Sequence, residues 1–512
     1  MGEPDPFRGD NPFYGPDGDE IIDRVLAGRS VATVYGLALL SVLGIVTVHH
    51  WVSRLFNLRW SRKSSRIDKI RGFLISRSPK SEVNRGMSIT LLLYTAATFA
   101  ALFYGACYHP VVLAFRMGIV AVVNTALLYV LGAKHSPLTL LTGWTYENLN
   151  VLHRISGALT VLATIIHTVI FLVYYRLDYI VTHSWTMAGV IAGFLYILIG
   201  FSSSKRMRAT AYEIFYAIHL AGSFISIPAV FFHYPTARPF ALVAGAAFAY
   251  DRAVRILLDY RLVQCTSRIA PGDTVIVQLS PKTSWPRPFT WAKGQHVFIT
   301  IIGCGTFESH PFTIASSPNA SETMDLIIRA REGFSKRFYD QAVQAGDGAI
   351  FKAIIHGPYG VEDIHMPGKQ NTLPQHTQPP TETSPLLPVA HDYRPLQKTK
   401  VLLISGGAGV AFTYPFYQEF HNNPQFDVQF LWVVPHRSFC EWICVDDKMN
   451  VWETREQGRP NVEEMTISFA GNGPCWVAAC GPDPLLRAVQ NGVAKLISDG
   501  HDVHLHIEAF GW

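Results

Sequence analysis

Long apolar stretches set the strongest limit on how this chain can fold. Seven runs approach the ~17 to 25 residues that a helix needs to cross the hydrocarbon core of a bilayer. They are 31–51, 87–107, 111–133, 150–174, 185–202, 212–233 and 239–257. The last run is the weakest because Asp251, Arg252 and Arg255 interrupt it. We therefore expect a seven-span helical membrane domain at 31–258.

Composition indicates a second, soluble part. Charged residues make up 16% of the 512 residues, below the roughly 25% of an average soluble domain. The mean hydropathy of +0.18 is nevertheless too low for a chain that lies wholly in the membrane. The seven cysteines are odd in number and lack a zinc-site spacing, so they predict no disulfide framework and favour the reducing cytosol for the soluble part.

Basic residues in short loops predict the orientation, because such loops stay cytoplasmic. The 54–86 loop holds ten Lys and Arg against Asp68 and Glu82. Seven spans then place a short extracytoplasmic N-terminus at 1–30 outside and everything after about 258 in the cytosol. The alternative is that the loop is a solvated amphipathic segment of a different topology.

Four histidines lie inside two of the predicted spans. His153 and His167 share the fourth span, His219 and His233 the sixth, and each pair is fourteen residues apart. Fourteen residues turn close to four full turns and climb about 21 Å, so both histidines of a helix share one face. The two spans run parallel, which pairs His153 with His219 near the cytosolic leaflet and His167 with His233 near the outer one.

Such pairs predict bis-imidazole ligation of two b-type haems, because haem sites are built between facing helices of a bundle. Haems stacked about 20 Å apart would form an electron path across the membrane. A single membrane histidine is more often a hydrogen-bonded packing residue. The doubled spacing is what favours the haem interpretation here.

After residue 258 short β-like runs such as 273–279 and 295–302 alternate with Gly and Pro. A helix is expected to begin near Gly333 and Ser335. Its free backbone N–H groups would suit a pyrophosphate, with Arg329 or Arg331 adding charge.

The chain from 399 onward has an α/β pattern. The buried strand 401–405 is followed by Gly406, Gly407 and Gly409, where backbone can approach a phosphate closely. A second strand ends before His436 and Arg437 without an acidic residue for a ribose hydroxyl, which favours NADPH over NADH. The alternatives are a tight turn at the glycines and ordinary loop residues at 436 and 437.

A third strand runs into Cys480, Gly481 and Pro482. A cysteine at a strand end is usually only packed. Residues 366–398 are rich in Pro, Thr and Gln and predict a disordered linker. The soluble part is thus expected to comprise 259–365 and 399–512 with this linker between them.

The order of these motifs resembles the fungal-type ferric-chelate reductases, which are related to the superoxide-producing NADPH oxidases. The resemblance implies a transmembrane haem bundle, a ferredoxin-reductase-like FAD-binding β-barrel at 259–365 and an NADPH-binding α/β domain at 399–512. It implies two b-type haems, FAD and NADPH as cofactors, with the four membrane histidines as haem ligands.

The resemblance also assigns residues in the soluble domains. It places the flavin at His310, Pro311, Phe312 and Thr313, with Ser316, and the pyrophosphate at Gly333 and Ser335, beside Arg329. Gly406 to Gly409 match the nucleotide loop, and Gly357 to Gly360 match a barrel-closing motif. Cys480, Gly481 and Pro482 match the turn beside the nicotinamide, and Phe510 lies in a terminus whose aromatic residue shields the flavin.

The function that the resemblance implies is transfer of electrons from cytosolic NADPH through FAD and two haems to an external ferric or cupric chelate. The alternative within the same superfamily is an NADPH oxidase that reduces oxygen. A remote alternative is a non-enzymatic proton channel that uses the histidines. We expect a multi-pass protein of the plasma membrane, with the vacuolar membrane as the alternative, and no nucleic-acid partner.

Overall fold

The computed structural model describes residues 30–55, 65–79, 81, 83–103, 109–144, 146–174, 177–280, 284–286, 288–305, 308–360, 398–470 and 474–508. Their contacts divide them into two compact units. One comprises the described residues within Met1–Ser61 and Met87–Leu258. The other comprises those within Arg62–Gly86 and Asp259–Trp512, so a segment between the first two predicted spans groups with the soluble half.

The described residues form twelve helices of nine or more residues. In chain order they are α1 Ser30–Leu55, α2 Ser65–Ile75, α3 Arg85–Phe103, α4 Pro110–Gly132, α5 Tyr146–Tyr174, α6 Ser184–Ser202, α7 Tyr212–His233, α8 Arg238–Val254, α9 Phe334–Ala345, α10 Val410–Phe420, α11 Val462–Ala470 and α12 Asp483–Ser498. Shorter helical turns connect the membrane helices at Pro137–Thr142, Leu177–Thr182 and Lys205–Thr210.

Six of these helices are long and apolar enough to cross a membrane, namely α1 and α3 to α7. They coincide with the first six predicted spans to within a few residues. The seventh predicted span forms α8, which has 17 residues and ends among Asp251, Arg252 and Arg255. Large apolar side chains such as Leu92, Phe194 and Phe224 lie exposed on the helices, as expected of surfaces that face lipid.

Polar contacts join the membrane helices where no hydrophobic driving force is available in lipid. The Tyr35 hydroxyl of α1 donates to Asn124 Oδ1 of α4 over 3.1 Å. The Tyr129 hydroxyl of α4 donates to the Ser223 carbonyl oxygen of α7 over 2.6 Å. The most extensive helix contacts are α4 with α5 and α6 with α7. The two histidine-bearing helices thus each pack against a neighbour that bears none of the four histidines.

A six-stranded antiparallel barrel follows the membrane helices. Its strands are β1 Arg261–Ala270, β2 Thr274–Leu279, β3 His296–Ile301, β4 His310–Thr313, β5 Met324–Arg329 and β6 Ile350–Tyr359. Their order is β4-β3-β6-β1-β2-β5, and an Ile314–Leu326 bridge joins the two ends. The alternating burial along β1 shows one face turned to the apolar interior and one to solvent. Helix α9 lies between β5 and β6.

The C-terminal domain is a five-stranded parallel sheet. Its strands are β7 Thr399–Gly406, β8 Phe426–Val434, β9 Met449–Glu453, β10 Cys475–Cys480 and β11 Val503–Glu508, in the order β11-β10-β7-β8-β9. The strand order reverses between β7 and β10, the place where such sheets bind ligands at the carboxyl ends of the strands. The predicted fold class is confirmed: a helical membrane bundle, a ferredoxin-reductase-like barrel and an α/β domain.

Candidate functional site

The four membrane histidines form two pairs between α5 and α7. The ring centroids of His153 and His219 are 6.1 Å apart, and those of His167 and His233 are also 6.1 Å apart. A metal bound to one nitrogen of each ring, with bonds of about 2 Å, would separate the centroids by about 6 Å. The pairing that the fourteen-residue spacing predicts is therefore present, at a separation that suits a shared iron atom.

Hydrogen bonds orient all four imidazoles in the same way. Nδ1 lies 2.8 Å from the Ala114 carbonyl oxygen in His167, 3.0 Å from that of Trp185 in His233 and 3.1 Å from that of Leu128 in His153. In His219 it lies 3.3 Å from Ser203 Oγ. A carbonyl can only accept, so Nδ1 carries the proton in the first three rings.

The proton on Nδ1 leaves Nε2 with its lone pair free. Among the described residues no Nε2 of the four has a hydrogen-bond partner. A ligating histidine needs this state, since its second nitrogen normally donates to a protein oxygen. The four residues therefore fit haem ligation.

Small residues on α4 and α6 make room for the rings. A Cβ atom added at Gly189 would lie 2.3 Å from Cε1 of His233, and one at Gly118 would lie 2.6 Å from Cε1 of His167. Gly132 stands in the same relation to His153, at 3.3 Å.

These small residues repeat the spacing of the histidines. Gly118 and Gly132 are fourteen residues apart on α4, as Gly189 and Ser203 are around the end of α6. Sequence reasoning missed these positions, although the repeated interval was visible in the sequence.

A cavity adjoins the His167 and His233 pair. Both histidines line it, together with Gly118 and Gly189, and the other lining residues are mostly apolar. Pockets that bind cofactors are lined mostly by apolar side chains. The apolar lining at this pair therefore suits a macrocyclic cofactor.

The predicted flavin motif forms β4 at one end of the barrel order. The His310 ring stacks on Phe334, the first residue of α9, with centroids 4.8 Å apart. Thr313 is 4% exposed, and its hydroxyl has no hydrogen-bond partner among the described residues. An unsatisfied buried hydroxyl costs stability, so its retention is consistent with a bound polar ligand. Pro311 and Phe312 lie half-buried on the same strand.

Ser316, which the resemblance also assigns to the flavin, makes its side-chain hydrogen bonds to other residues of the protein. Its hydroxyl donates to the Thr323 carbonyl oxygen over 2.9 Å and accepts from the Asp325 amide over 3.0 Å. The side chain thus already serves the loop between β4 and β5. Its predicted contact with the flavin stays a prediction.

Helix α9 begins where the sequence predicts. Gly333 caps it with a φ of 70° and has open space at its Cα, which leaves the helix N-terminus accessible. The Ser335 hydroxyl accepts from the Arg331 amide over 3.0 Å. Arg329 is exposed, with its guanidinium 5.5 Å from the ring centroid of Phe439. The N–H groups of this first turn suit an anion.

The glycine loop after β7 packs directly on the turn after β10. A Cβ atom at Gly409 would lie 2.2 Å from the Cys480 carbonyl oxygen, and one at Gly406 would lie 2.7 Å from Cδ of Pro482. Gly407 has a φ of 54° and open space beside it. The predicted loop and turn therefore meet at the reversal point of the sheet.

Cys480 itself is fully buried in the apolar cluster on one face of the sheet. Burial raises the pKa of its thiol well above the usual value, so the thiol is neutral at physiological pH. A catalytic role for Cys480 stays a prediction. Phe510 lies outside the described residues.

His436 and Arg437 lie exposed at the carboxyl end of β8. His436 Nδ1 accepts from the Ser438 amide over 3.1 Å, which caps a short helical turn at Arg437–Trp442. Glu453, the last residue of β9, comes within 3.9 Å of His436 Nε2. The sequence has no acidic residue directly after β8, but the fold supplies one from the neighbouring strand.

Comparison with protein families supports the same division of the chain. Residues 117–230 match a family described as ferric reductase like transmembrane component, and residues 260–363 match one described as FAD-binding domain. The first match contains His153, His167 and His219, and it ends just before His233. The predicted resemblance is confirmed, as is a flavin-binding barrel.

Curated relatives are fungal. Ferric reductase transmembrane component 1 of Schizosaccharomyces pombe is 23% identical over 77% of this chain and 78% of its own length. Ferric/cupric reductase transmembrane component 7 of Saccharomyces cerevisiae is 26% identical over 69% of this chain and 56% of its own. The probable cell surface ferric reductase kap2 of Aspergillus oryzae is 27% identical over 48% and 36%.

Among solved structures, phthalate dioxygenase reductase is similar at 14% identity, with a TM-score of 0.33. The match covers 49% of this chain and 68% of that chain.

Proposed function

We propose that this chain is a transmembrane metalloreductase, because residues 117–230 match the family described as ferric reductase like transmembrane component and residues 260–363 match an FAD-binding domain. It would take electrons from cytosolic NADPH and deliver them through FAD and two b-type haems to a ferric or cupric chelate outside. The observation that carries this proposal is the presence of two histidine pairs in which the Nδ1 atom of every ring has a hydrogen-bond partner.

His153 with His219 and His167 with His233 would hold the two haems. When bound, haem supplies one-electron chemistry and flavin converts a hydride into single electrons. The protein's part is to fix the imidazoles. The oxygen atoms that accept the Nδ1 hydrogen bonds hold the orientation of each ring. They would also raise the basicity of the imidazole as a ligand, which would stabilise a ferric ion. The two pairs lie fourteen residues apart along the helices, so they would form successive stations across the membrane.

In the soluble domains, the protein's residues would bind and orient the flavin and the pyridine nucleotide. The Thr313 hydroxyl, which lacks a hydrogen-bond partner among the described residues, would bind the flavin ring, and the first turn of α9 after Gly333 would offer N–H groups to its phosphates. Gly406 to Gly409 and the Cys480 to Pro482 turn border the site expected for the pyridine nucleotide. Arg437, which is exposed after β8, would bind the 2′-phosphate of NADPH.

Counting membrane crossings supports the seven-span topology. The described parts of Arg62–Gly86 and Asp259–Trp512 belong to one compact unit, so they lie on one side of a membrane. Between them the chain passes through the five candidate spans α3 to α7 and then α8. Only an even number of crossings returns the chain to the side it left, so α8 would be the sixth. The basic 54–86 loop favours the cytosol as that side.

The acceptor is inferred from the relatives, whose names specify ferric and cupric reductases. The relative named as a cell surface protein favours the plasma membrane over the vacuolar one. An oxidase would use the same cofactors and ligands, so the site geometry alone does not separate the two.

The deciding experiment measures NADPH-driven formation of Fe(II) from a ferric chelate by the purified protein, with and without superoxide dismutase. A metalloreductase keeps its rate when dismutase is present. Loss of the signal with dismutase would show that oxygen is the acceptor. An absorbance spectrum separates the remote channel alternative, because a channel has no Soret band and this protein should show two haems per chain.

A further inference from the structure

The segment from Ser65 to Arg85 packs along helix α12 of the nucleotide-binding domain. We call it the docking segment; it comprises α2 and the turn that follows it. Contacts between α2 and α12 are among the most extensive in the soluble unit. Sequence reasoning treated this stretch only as a basic loop that reports membrane topology. In the structure it packs against the nucleotide-binding domain.

The backbone of α2 lies very close to the C-terminal end of α12. A Cβ atom at Gly72 would lie 2.0 Å from Ser498 Oγ and 2.5 Å from the Ala494 carbonyl oxygen. Only glycine allows α2 to lie this close to the last turns of α12. Gln490 Nε2 then donates to the Ile75 carbonyl oxygen over 2.8 Å and satisfies the C-terminus of α2.

Arg77 contacts the N-terminal end of α12. Its side chain is 8% exposed, and its guanidinium lies 2.6 Å from Asp483 Oδ1. Nε donates to the Ser81 carbonyl oxygen over 2.7 Å, and the Arg77 amide donates to Asn491 Oδ1 over 3.0 Å. A buried arginine is costly unless paired, so removing Asp483 would leave the Arg77 guanidinium uncompensated. Contacts therefore run the whole length of α12.

Asp483 is the first residue of α12 and directly follows the Cys480 to Pro482 turn. Arg487 also donates to it, over 2.6 Å. The turn lies against Gly406, whose added Cβ would meet Pro482 at 2.7 Å, so little space is left for the turn to shift. Any movement of the first turn of α12 would therefore move the backbone that borders the nucleotide site.

We propose that Arg77 is a positioning residue for hydride transfer: through Asp483 it fixes the first turn of α12 and with it the Cys480 to Pro482 turn. The docking segment is thus a working part of the nucleotide-binding domain, although it lies between the first two membrane helices in the sequence. This inference rests on the proposed function, because it supposes that a pyridine nucleotide reduces the flavin.

The test is the Arg77→Ala variant of the holoprotein, with Arg71→Ala as the matched control because Arg71 is an exposed arginine of the same docking segment. Stopped-flow absorbance follows flavin reduction at saturating NADPH. We expect the rate constant to fall about 10- to 100-fold in Arg77→Ala, because misplacement of about 1 Å costs that much. The amplitude, which reports the fraction of active protein, should stay normal, and Arg77→Lys should recover part of the rate.

An unchanged rate constant in Arg77→Ala refutes the proposal, as does a lowered amplitude with a normal rate constant, since that marks a purely structural role. If Arg77→Ala does not accumulate with normal haem and FAD content, Asp483→Asn is judged by the same criteria. Failure of the proposed function is distinguishable, because in that case neither NADPH nor NADH reduces the flavin of the unmodified protein.

Discussion

Replacing Gly189 by alanine probes the histidine sites most directly. The added Cβ would lie 2.3 Å from both Cε1 and Nδ1 of His233, whereas carbon atoms in ordinary contact are about 3.5 to 4.0 Å apart. The ring would have to retreat by more than about 1 Å. That movement also disturbs the hydrogen bond from Nδ1 to the Trp185 carbonyl oxygen.

Overpacking of this kind costs about 1 to 3 kcal/mol. If the cost falls on the ligated state, haem affinity at the outer pair falls about 5- to 150-fold. The assay is haem per chain and haem per FAD from the pyridine haemochrome and flavin absorbance of purified protein. We expect the haem content to fall from two toward one, with loss of ferric reduction and no change in flavin reduction by NADPH.

Two glycines on the membrane helices serve as controls for Gly189→Ala. Within the described part of the chain, Gly36 has no atom within 4 Å of an added Cβ, so Gly36→Ala should keep both haems. Gly132 meets His153 at 3.3 Å, which a small shift can relieve, so Gly132→Ala should have an intermediate effect. A Gly189→Ala protein that keeps two haems with the spectrum of the unmodified protein would refute the close-packing argument.

Three further predictions concern residues at or near the other parts of the path. Ser203→Ala removes the hydroxyl beside Nδ1 of His219 and should weaken haem binding at the inner pair about 10- to 100-fold in haem titration, with the outer haem unchanged. Arg437→Ala should raise KM for NADPH and leave KM for NADH unchanged; equal effects on both would remove the argument for a 2′-phosphate contact. Maleimide at pH 7.5 should label the exposed Cys444 rapidly and Cys480 only after unfolding, because burial raises the pKa of the Cys480 thiol and only the thiolate reacts.

The histidine pairs were predictable because helix geometry converts a spacing into a shared face. Fourteen residues are close to four turns, so His153 and His167 had to share one face of α5 whatever surrounds it. Their Nδ1 acceptors could not be predicted in this way. Glycine is common in membrane helices, and the interval from Gly118 to Gly132 becomes informative only once α4 is known to pack against α5.

The contacts of the docking segment, unlike the histidine pairs, could not be predicted from the sequence. Ten Lys and Arg residues in one loop fit a topology signal, and nothing in the sequence separates Arg77 from its exposed neighbours. Its partner Asp483 is some four hundred residues further along the chain. Charge patterns report local preference, whereas which of several arginines becomes buried depends on tertiary contacts.

Tertiary contacts also account for the charges that make α8 an ambiguous span. Asp251 made 239–257 the weakest candidate in the sequence, yet its side chain is 5% exposed and accepts from the Lys134 amide over 2.8 Å. Arg255 lies 3.7 Å from the same carboxylate. A charge that is paired and hydrogen-bonded at the end of a helix costs far less in a membrane than its type suggests. Seventeen residues rise about 25 Å, and the helical path continues to Asp259. The paired charges therefore remove one objection to α8 as a seventh span, and its crossing of the membrane stays a prediction.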